Sequence, residues 1–414
     1  MKILVLNCGS SSLKYQVLDM ENEKVYNLLA KGLVERIGNA SAGVEHKLPS
    51  GEKFKAEMPI YNHTEAIGKV LSLLTDEKYG VVASLSELDA VGHRLVHGGE
   101  DFAQSVEITD EVVAKVEECC DLAPLHNPAN LLGIKAVTEL MPDKPQVGVF
   151  DTSFHQTMPP HAFLYSIPYD YYDKYKVRRY GFHGSSHKFV SQKAAEFLGF
   201  DIKKSKIITC HLGNGSSISA VLNGHSVDTS MGLTPVEGVT MGTRCGNVDA
   251  GVITFLMDKE HLDTAGINAV LNKKSGLLGI SGLSSDNRDI DSGIAAGNRR
   301  AQLAHDKVVY DVKKYIGAYA AVMDGVDVIV FTGGIGENAC NIRQEICEGL
   351  GYLGVEFDRS ANDEVRGVDV LLTKPSSKVK VVALTTNEEL VIARDTMEIV
   401  NKKASREAEA GIEI

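Results

Sequence analysis

The chain has 414 residues, 43% of them hydrophobic, and a formal net charge of -12. That length exceeds what one core usually supports, so two domains are expected, and the acidic balance argues against non-specific binding to nucleic acid or to an anionic membrane face. No apolar run reaches membrane-spanning length, the first residues already read as a core strand instead of a leader, and the seven cysteines form no CxxC pair or zinc spacing; reduced thiols in a cytoplasmic protein are the expectation.

Ile3 to Leu6 reads as a buried strand, and the alternation of Leu13, Tyr15 and Val17 reads as its hairpin partner, with Gly9 and three serines at the turn. Such a turn gathers N–H and hydroxyl donors in one small concavity that suits a phosphate, while a plain solvated loop is the competing reading. A helix is predicted over 64–74, a strand over 89–97, and a helix over 110–122 with acidic Asp110 and Glu111 in its first turn, apolar Val112, Val113, Val116 and Cys120 on one face, and Pro124 as its stop. Strands follow within 146–155 and 206–213, a long helix over 299–323, and further strands within 326–334 and 379–386. A last helix starts near 386, where Thr386 and Glu389 have capping-box spacing. Strands interleaved with helices indicate an α/β protein. The stretch "IITCHLGNGSSISAVLNG" (207–224) repeats the opening pattern of apolar run, glycine, serines and alternating strand, which suggests a duplicated architecture.

Three Arg or His clusters fall at strand ends: "GHRLVHGGE", "YGFHGSSH" and "MGTRCGN". Arg94 and Arg244 stand in Gly-rich turns, where a guanidinium can grip carboxylate or phosphate oxygens and the glycines permit close approach; a surface ion pair is the bland reading. His183 and His187 have the i, i+4 spacing of a metal pair but lack the glutamate of a zinc-protease helix, so His183 reads better as a hydrogen-bond donor to a developing anion, or as a core histidine. Asp151 ends a strand and suits a metal, a base or a turn cap. Glu388 falls in the first turn of the last helix. Gly334, Gly336 and Ala339 have the GxGxxA spacing of a dinucleotide fold directly after a strand, the main rival reading, although a glycine turn over a nucleoside serves equally well. There is no GKS or GKT loop and no DFG or HRD set, so a phosphotransferase must belong to another class than P-loop enzymes or protein kinases.

Taken in order, "NCGSSSLK", "GHRLVHGG", "APLHNP", "FDTSFHQTMP", "YGFHGSSH", "HLGNGSS", "MGTRCG", "FTGGIGEN" and "TNEEL" resemble the acetokinase family over nearly the whole chain. The resemblance implies two duplicated ribonuclease H-like domains of the actin and sugar kinase superfamily with a cleft between them, a domain of residues 1–151 with 388–414 and another of 152–387, the latter carrying the nucleotide site and dimer interface. It implies a homodimer that transfers the ATP γ-phosphoryl group, with Mg or Mn, to acetate, giving acetyl phosphate and ADP; another short-chain carboxylate such as propionate, a nicotinamide-dependent dehydrogenase and a non-catalytic nucleotide switch are the alternatives. Carried over by motif, Asn7 and Glu388 hold the metal, Lys14 approaches the phosphates, Arg94 holds the carboxylate, and Asp151, His183 and Arg244 surround the transferring group. Val96, Leu125, Phe182 and Pro235 would surround the substrate methyl. His211, Leu212, Gly213, Asn214 and Gly215 form a second phosphate hairpin, while Asp286, Asn287 and Arg288 with Gly334, Ile335, Gly336, Glu337 and Asn338 line the nucleoside. Cys8 departs from the pattern, in which a smaller residue is common. If the two hairpins grip one polyphosphate, nucleotide should compact the molecule, which scattering would detect.

Overall fold

Continuous apolar runs in the central strands and half-buried alternation in the outer ones build the first sheet in a computed structural model that describes residues 1–124 and 126–412. Its strands are β1 (Lys2–Cys8), β2 (Ser12–Met20), β3 (Tyr26–Glu35), β4 (Asn39–Lys47), β5 (Lys53–Ile60), β6 (Ala90–Leu95), β7 (Val106–Glu107) and β8 (Gln146–Phe150), in the order β5-β4-β3-β2-β1-β6-β8-β7. The second sheet comprises β9 (Lys206–Leu212), β10 (Ser216–Leu222), β11 (His225–Thr229), β12 (Val328–Thr332), β13 (Val370–Leu371) and β14 (Lys380–Ala383), ordered β11-β10-β9-β12-β14-β13. Both sheets contain the same core: an antiparallel meander (β1-β2-β3, β9-β10-β11) whose first strand is flanked by two successive parallel strands (β6-β8, β12-β14). The echo of the serine hairpins is thus a structural duplication in an α/β protein. The chain divides into two compact units, Met1–Ser153 with Asn387–Ile414, and Phe154–Thr386.

Strands β3 to β5 escape the sequence reading because they are only half buried. In β5, Phe54, Ala56, Met58 and Ile60 alternate with Lys53, Lys55 and Glu57, and Pro59 interrupts the N–H row. Those are the features of an edge strand kept from pairing with other chains. The predicted 110–122 helix is also revised: an α-helix runs over Asp110–Glu118, capped by Thr109, and then tightens into a 3₁₀ turn at Cys119–Asp121. The tightening rotates the face, so Cys119 is buried and Cys120 only partly so.

In the first unit, the helices His63–Leu74 and Asn127–Leu140 cover one sheet face, setting Ala66, Ile67, Val70, Leu71 and Val137 against Leu4, Leu6, Leu13 and Tyr15. The final helix, Glu388–Ile412, covers the other face at Gly92, where an added Cβ would stand 2.5 Å from Thr396 Oγ1. In the second unit, Arg299–Val322 packs on one face and Gly184–Leu198 on the other.

Cys8 has a packing role. Its Sγ fills the space left by Gly133, where a Cβ would come within 2.5 Å of the sulfur, and burial pushes the thiol up to about 12. Gly→Ala within a helix is ordinarily stabilising, but Gly133→Ala should here cost about 1–3 kcal/mol through overpacking. Adding Cys8→Ala should restore most of the loss in urea unfolding; a Gly133→Ala protein as stable as its parent would refute this packing account.

Candidate active site

The carboxyl ends of the parallel strands bring together one group of chemistry-bearing residues in each unit, the place where open α/β sheets bind ligands. In the first unit, β1 and β6 lie side by side with Leu6 opposite His93, so Asn7 and Arg94 emerge together at their ends. Asp151 follows the last residue of β8, its N–H bound to the Leu95 carbonyl. Arg94 donates from Nε to Asp151 Oδ1 at 3.0 Å and from Nη2 to Oδ2 at 2.7 Å, a two-pronged pair; Nη1 reaches Asn7 Oδ1 at 3.4 Å, and Glu388 Oε2 lies 3.7 Å from Nε. Burial opposes the guanidinium charge, but the carboxylates of Asp151 and Glu388 outweigh it and hold the pKa above the ordinary arginine value. The Asp151 side chain is only 2% exposed, whereas that of Arg94 is 22% exposed. Lys14 pairs with Asn7 across the β1–β2 hairpin and projects on the same side.

The backbone around this cluster is held by side chains that the sequence reading passed over. Asn130 accepts from Val96 N at 3.0 Å and donates to the Cys8 carbonyl at 2.9 Å; Asn127 accepts from His97 N and donates to the His97 carbonyl. Val96 therefore lies one residue beyond β6 in a turn built by asparagine bonds, not within the strand, and its side chain is buried. Leu125 lies outside the described residues. The last helix is capped by Asn387, whose Oδ1 accepts from Leu390 N, instead of by Thr386; the Thr386 N–H is taken by Glu337 Oε1. Glu388 still opens that helix.

In the second unit, the turn Gly213–Gly215 joins β9 to β10, and Ser216 Oγ folds back to the Gly213 backbone. His183 precedes the Gly184–Leu198 helix with a left-handed φ of 56°, a strained conformation for a residue with a side chain. A Cβ built on Gly215 would lie 3.4 Å from both His183 Nε2 and Arg244 Nη2, so hairpin backbone, imidazole and guanidinium converge. Arg244 Nη1 also donates to the Pro235 carbonyl at 2.7 Å, which gives Pro235 a backbone role. His211 stacks on His183 at 4.3 Å between ring centroids, and its Nδ1 meets Ser186 Oγ at 2.8 Å. Phe182 is buried, its carbonyl bound to His155 Nε2. His187 spends both ring nitrogens on hydroxyls, those of Thr209 and Ser217, and no cluster of three His, Cys, Asp or Glu able to hold a metal occurs among the described residues.

The glycine turn after β12 joins this cluster: a Cβ on Gly213 would stand 3.9 Å from Gly334 N. Residues Gly333–Asn338 form a short helix in which the partly buried Glu337 and the exposed Asn338 bond back to backbone. Glu337 accepts from Gly333 N and Thr386 N, and Asn338 donates to the Gly334 carbonyl, so these residues and the partly buried Ile335 and fully buried Leu212 offer a ligand backbone rather than side chains. Arg343, fully buried, clamps the turn from below with bonds to the Gly336 and Val365 carbonyls and to Asn362 Oδ1. Asp286 caps the helix Asn287–Ala295; bonds from the Arg288 side chain and backbone lower its pKa to about 2. Arg288 is exposed, and Asn287 donates to Asp291. The dinucleotide reading of Gly334–Ala339 fails on this architecture, because the turn follows the fourth strand of a meander-based sheet and its helix is six residues long.

Of the three clusters expected at strand ends only that of Arg94, in β6, lies there; His183 precedes a helix and Arg244 stands in the long loop between β11 and the helix Ala250–Lys259. Guanidinium groups beside Gly-rich turns in both halves of a duplicated architecture make this an α/β protein equipped for anionic ligands. The acetokinase family model matches residues 2–394, and the chain belongs to that family. It is 57% identical over 403 residues to the acetate kinase of Carboxydothermus hydrogenoformans, covering 97% of this chain and 100% of the relative, and 58% identical over 400 residues to that of Agathobacter rectalis, with coverage of 97% and 100%. Among solved structures, Porphyromonas gingivalis acetate kinase superposes with a TM-score of 0.93 at 54% identity over 96% of this chain and 99% of that one. A propionate kinase from Francisella tularensis gives 0.89 at 40% identity, covering 96% and 99%.

Proposed function

We propose that this chain is a carboxylate phosphotransferase that transfers the γ-phosphoryl group of ATP to acetate, forming acetyl phosphate and ADP. The observation that carries the reading is the full-length match, above half identity, to proteins named acetate kinase. The Arg94–Asp151 pair supports it chemically. A carboxylate substrate is already ionised at neutral pH and needs no general base, so a buried aspartate locked to arginine is suited to positioning. Asp151 aims the guanidinium, and Arg94, which is less buried than its partner, receives the substrate carboxylate. Phosphoryl transfer through a loose transition state places charge on equatorial oxygens, and positioned cations and donors supply most of the catalysis. His183 Nε2 and Arg244 Nη2, both at Gly215, are suited to those oxygens.

Asn7 and Glu388 fit a magnesium ion, since one amide and one carboxylate oxygen beside the same guanidinium match the sparse protein ligation of a cation completed by water and phosphate. Bound there, the metal would neutralise phosphate charge. Lys14, the Gly213–Gly215 turn, the Gly334–Asn338 turn and Asp286 to Arg288 serve the nucleotide in this reading. All seven cysteines are free, which fits a reducing cytoplasm, and among the described residues no helix is long and apolar enough to cross a membrane. A homodimer rests on the family resemblance, and sedimentation tests it.

ADP release measured by a coupled assay should require acetate and stop when EDTA removes the metal; ADP release indifferent to acetate would refute the reading. Specificity gives a finer test. Val96, two residues past Arg94, bounds the substrate methyl, and one methylene is worth about 1–3 kcal/mol in such a pocket, so acetate should exceed propionate roughly tenfold or more in kcat/KM. Val96→Ala should move that ratio toward propionate. An unchanged ratio would remove Val96 from the pocket, and a parent that already prefers propionate would favour the propionate alternative.

A further inference from the structure

His183 is tied to a buried line of side chains to which the sequence reading gave no role together. Ser217 Oγ, on β10, lies 2.9 Å from His183 Nδ1 and 2.7 Å from His187 Nε2, and His187 Nδ1 lies 2.7 Å from Thr209 Oγ1 on β9. Ser217, His187 and Thr209 are all fully buried. We propose that Thr209, His187 and Ser217 form a directional hydrogen-bond relay that fixes the proton of His183 on Nε2, making Ser217 a positioning residue for phosphoryl transfer.

The direction follows from counting protons. Each hydroxyl donates one proton, and a neutral imidazole carries one N–H and one acceptor nitrogen. Thr209 Oγ1 has His187 Nδ1 as its hydrogen-bond partner among the described residues, and a buried O–H left without an acceptor is costly. Thr209 therefore donates to His187 Nδ1. His187 then holds its proton on Nε2 and donates to Ser217 Oγ. Ser217 in turn donates to His183 Nδ1, which leaves the His183 proton on Nε2, the nitrogen facing Gly215 beside Arg244. Burial, with His155 and His211 nearby, lowers the His187 pKa well below its ordinary value, so the middle of the relay stays neutral. The opposite direction would strand the Thr209 proton and turn a lone pair of His183 toward the transferring anion.

The catalytic meaning of the relay rests on the proposed reaction, but the proton positions do not. The test is ¹⁵N NMR of the full chain labelled at histidine, with His183 and His187 assigned by their loss in His183→Asn and His187→Asn, alongside acetate-dependent ADP release. Both imidazoles should carry the proton on Nε2, with Nδ1 shifted as a hydrogen-bonded acceptor. Ser217→Ala should move the His183 Nδ1 signal to an unbonded or protonated position and lower kcat about tenfold while KM for acetate changes less than twofold; Ser217→Thr, which keeps the hydroxyl, should recover both. A proton on Nδ1 of either histidine in the parent, or a Ser217→Ala protein whose His183 signals and kcat are unchanged, would overturn the relay. If the parent shows the Nε2 protons but releases no ADP with acetate, the relay stands and the proposed reaction falls.

Discussion

Arg244→Ala should remain folded and lose about a thousandfold or more in kcat, the scale of an arginine that stabilises phosphoryl-transfer charge. Its Nη2 lies beside the Gly215 backbone and His183 Nε2, where equatorial oxygens are proposed to develop charge. The bond from the charged Nη1 to the Pro235 carbonyl contributes on the order of 1.5–3 kcal/mol, smaller than the catalytic effect, so the loss should appear chiefly in turnover. Lysine is no substitute, because a point charge cannot reproduce the fork that reaches both the carbonyl and the hairpin. Circular dichroism and coupled kinetics decide the matter: a folded Arg244→Ala protein with near-normal kcat would remove this residue from the mechanism.

Arg94→Ala should fail on two counts. It removes the proposed carboxylate holder, and it takes the guanidinium from Asp151, whose side chain is 2% exposed. Breaking such a pair from one side costs about 3–5 kcal/mol, because the buried charge loses its counterion. Turnover should therefore fall by several orders of magnitude and the thermal midpoint by several degrees. The buried pair is why this variant, unlike Arg244→Ala, should also lose stability. Arg94→Ala with Asp151→Asn should regain much of the midpoint, since the neutral amide is cheaper to bury, yet stay inactive. A single variant as stable as the parent would contradict the structural half of this account, and an active double variant the catalytic half.

What was legible in the sequence was whatever repeats or alternates strongly. The hairpin of β1 and β2 and its echo in β9 and β10 announce themselves by apolar runs around glycine and serine, and the parallel strands by fully buried apolar stretches such as Val328–Phe331. Strands β3 to β5 were hidden because a half-buried meander scatters lysines and glutamates among its apolar residues and offers no continuous apolar run. Arg94 and Arg244 could be picked out because arginine in a Gly-rich stretch is unusual, although only Arg94 stands at a strand end and Arg244 belongs to a loop. Ser217, Asn127, Asn130 and Arg343 could not: a serine in a hairpin, two asparagines in a helix start and an arginine in a helix have ordinary local explanations, and only the fold shows which backbone or imidazole each one holds. The error at Thr386 has the same root, since Asn387 offers an equally good cap and tertiary contact with Glu337 claims the threonine N–H.

The central claim, transfer of phosphoryl to a carboxylate oxygen, is tested most directly by trapping the product with hydroxylamine. With MgATP and acetate, the protein should yield acetohydroxamate in equal amount to ADP, with less from propionate and little from longer acids. ADP without hydroxamate, or hydroxamate from none of the acids, would contradict it.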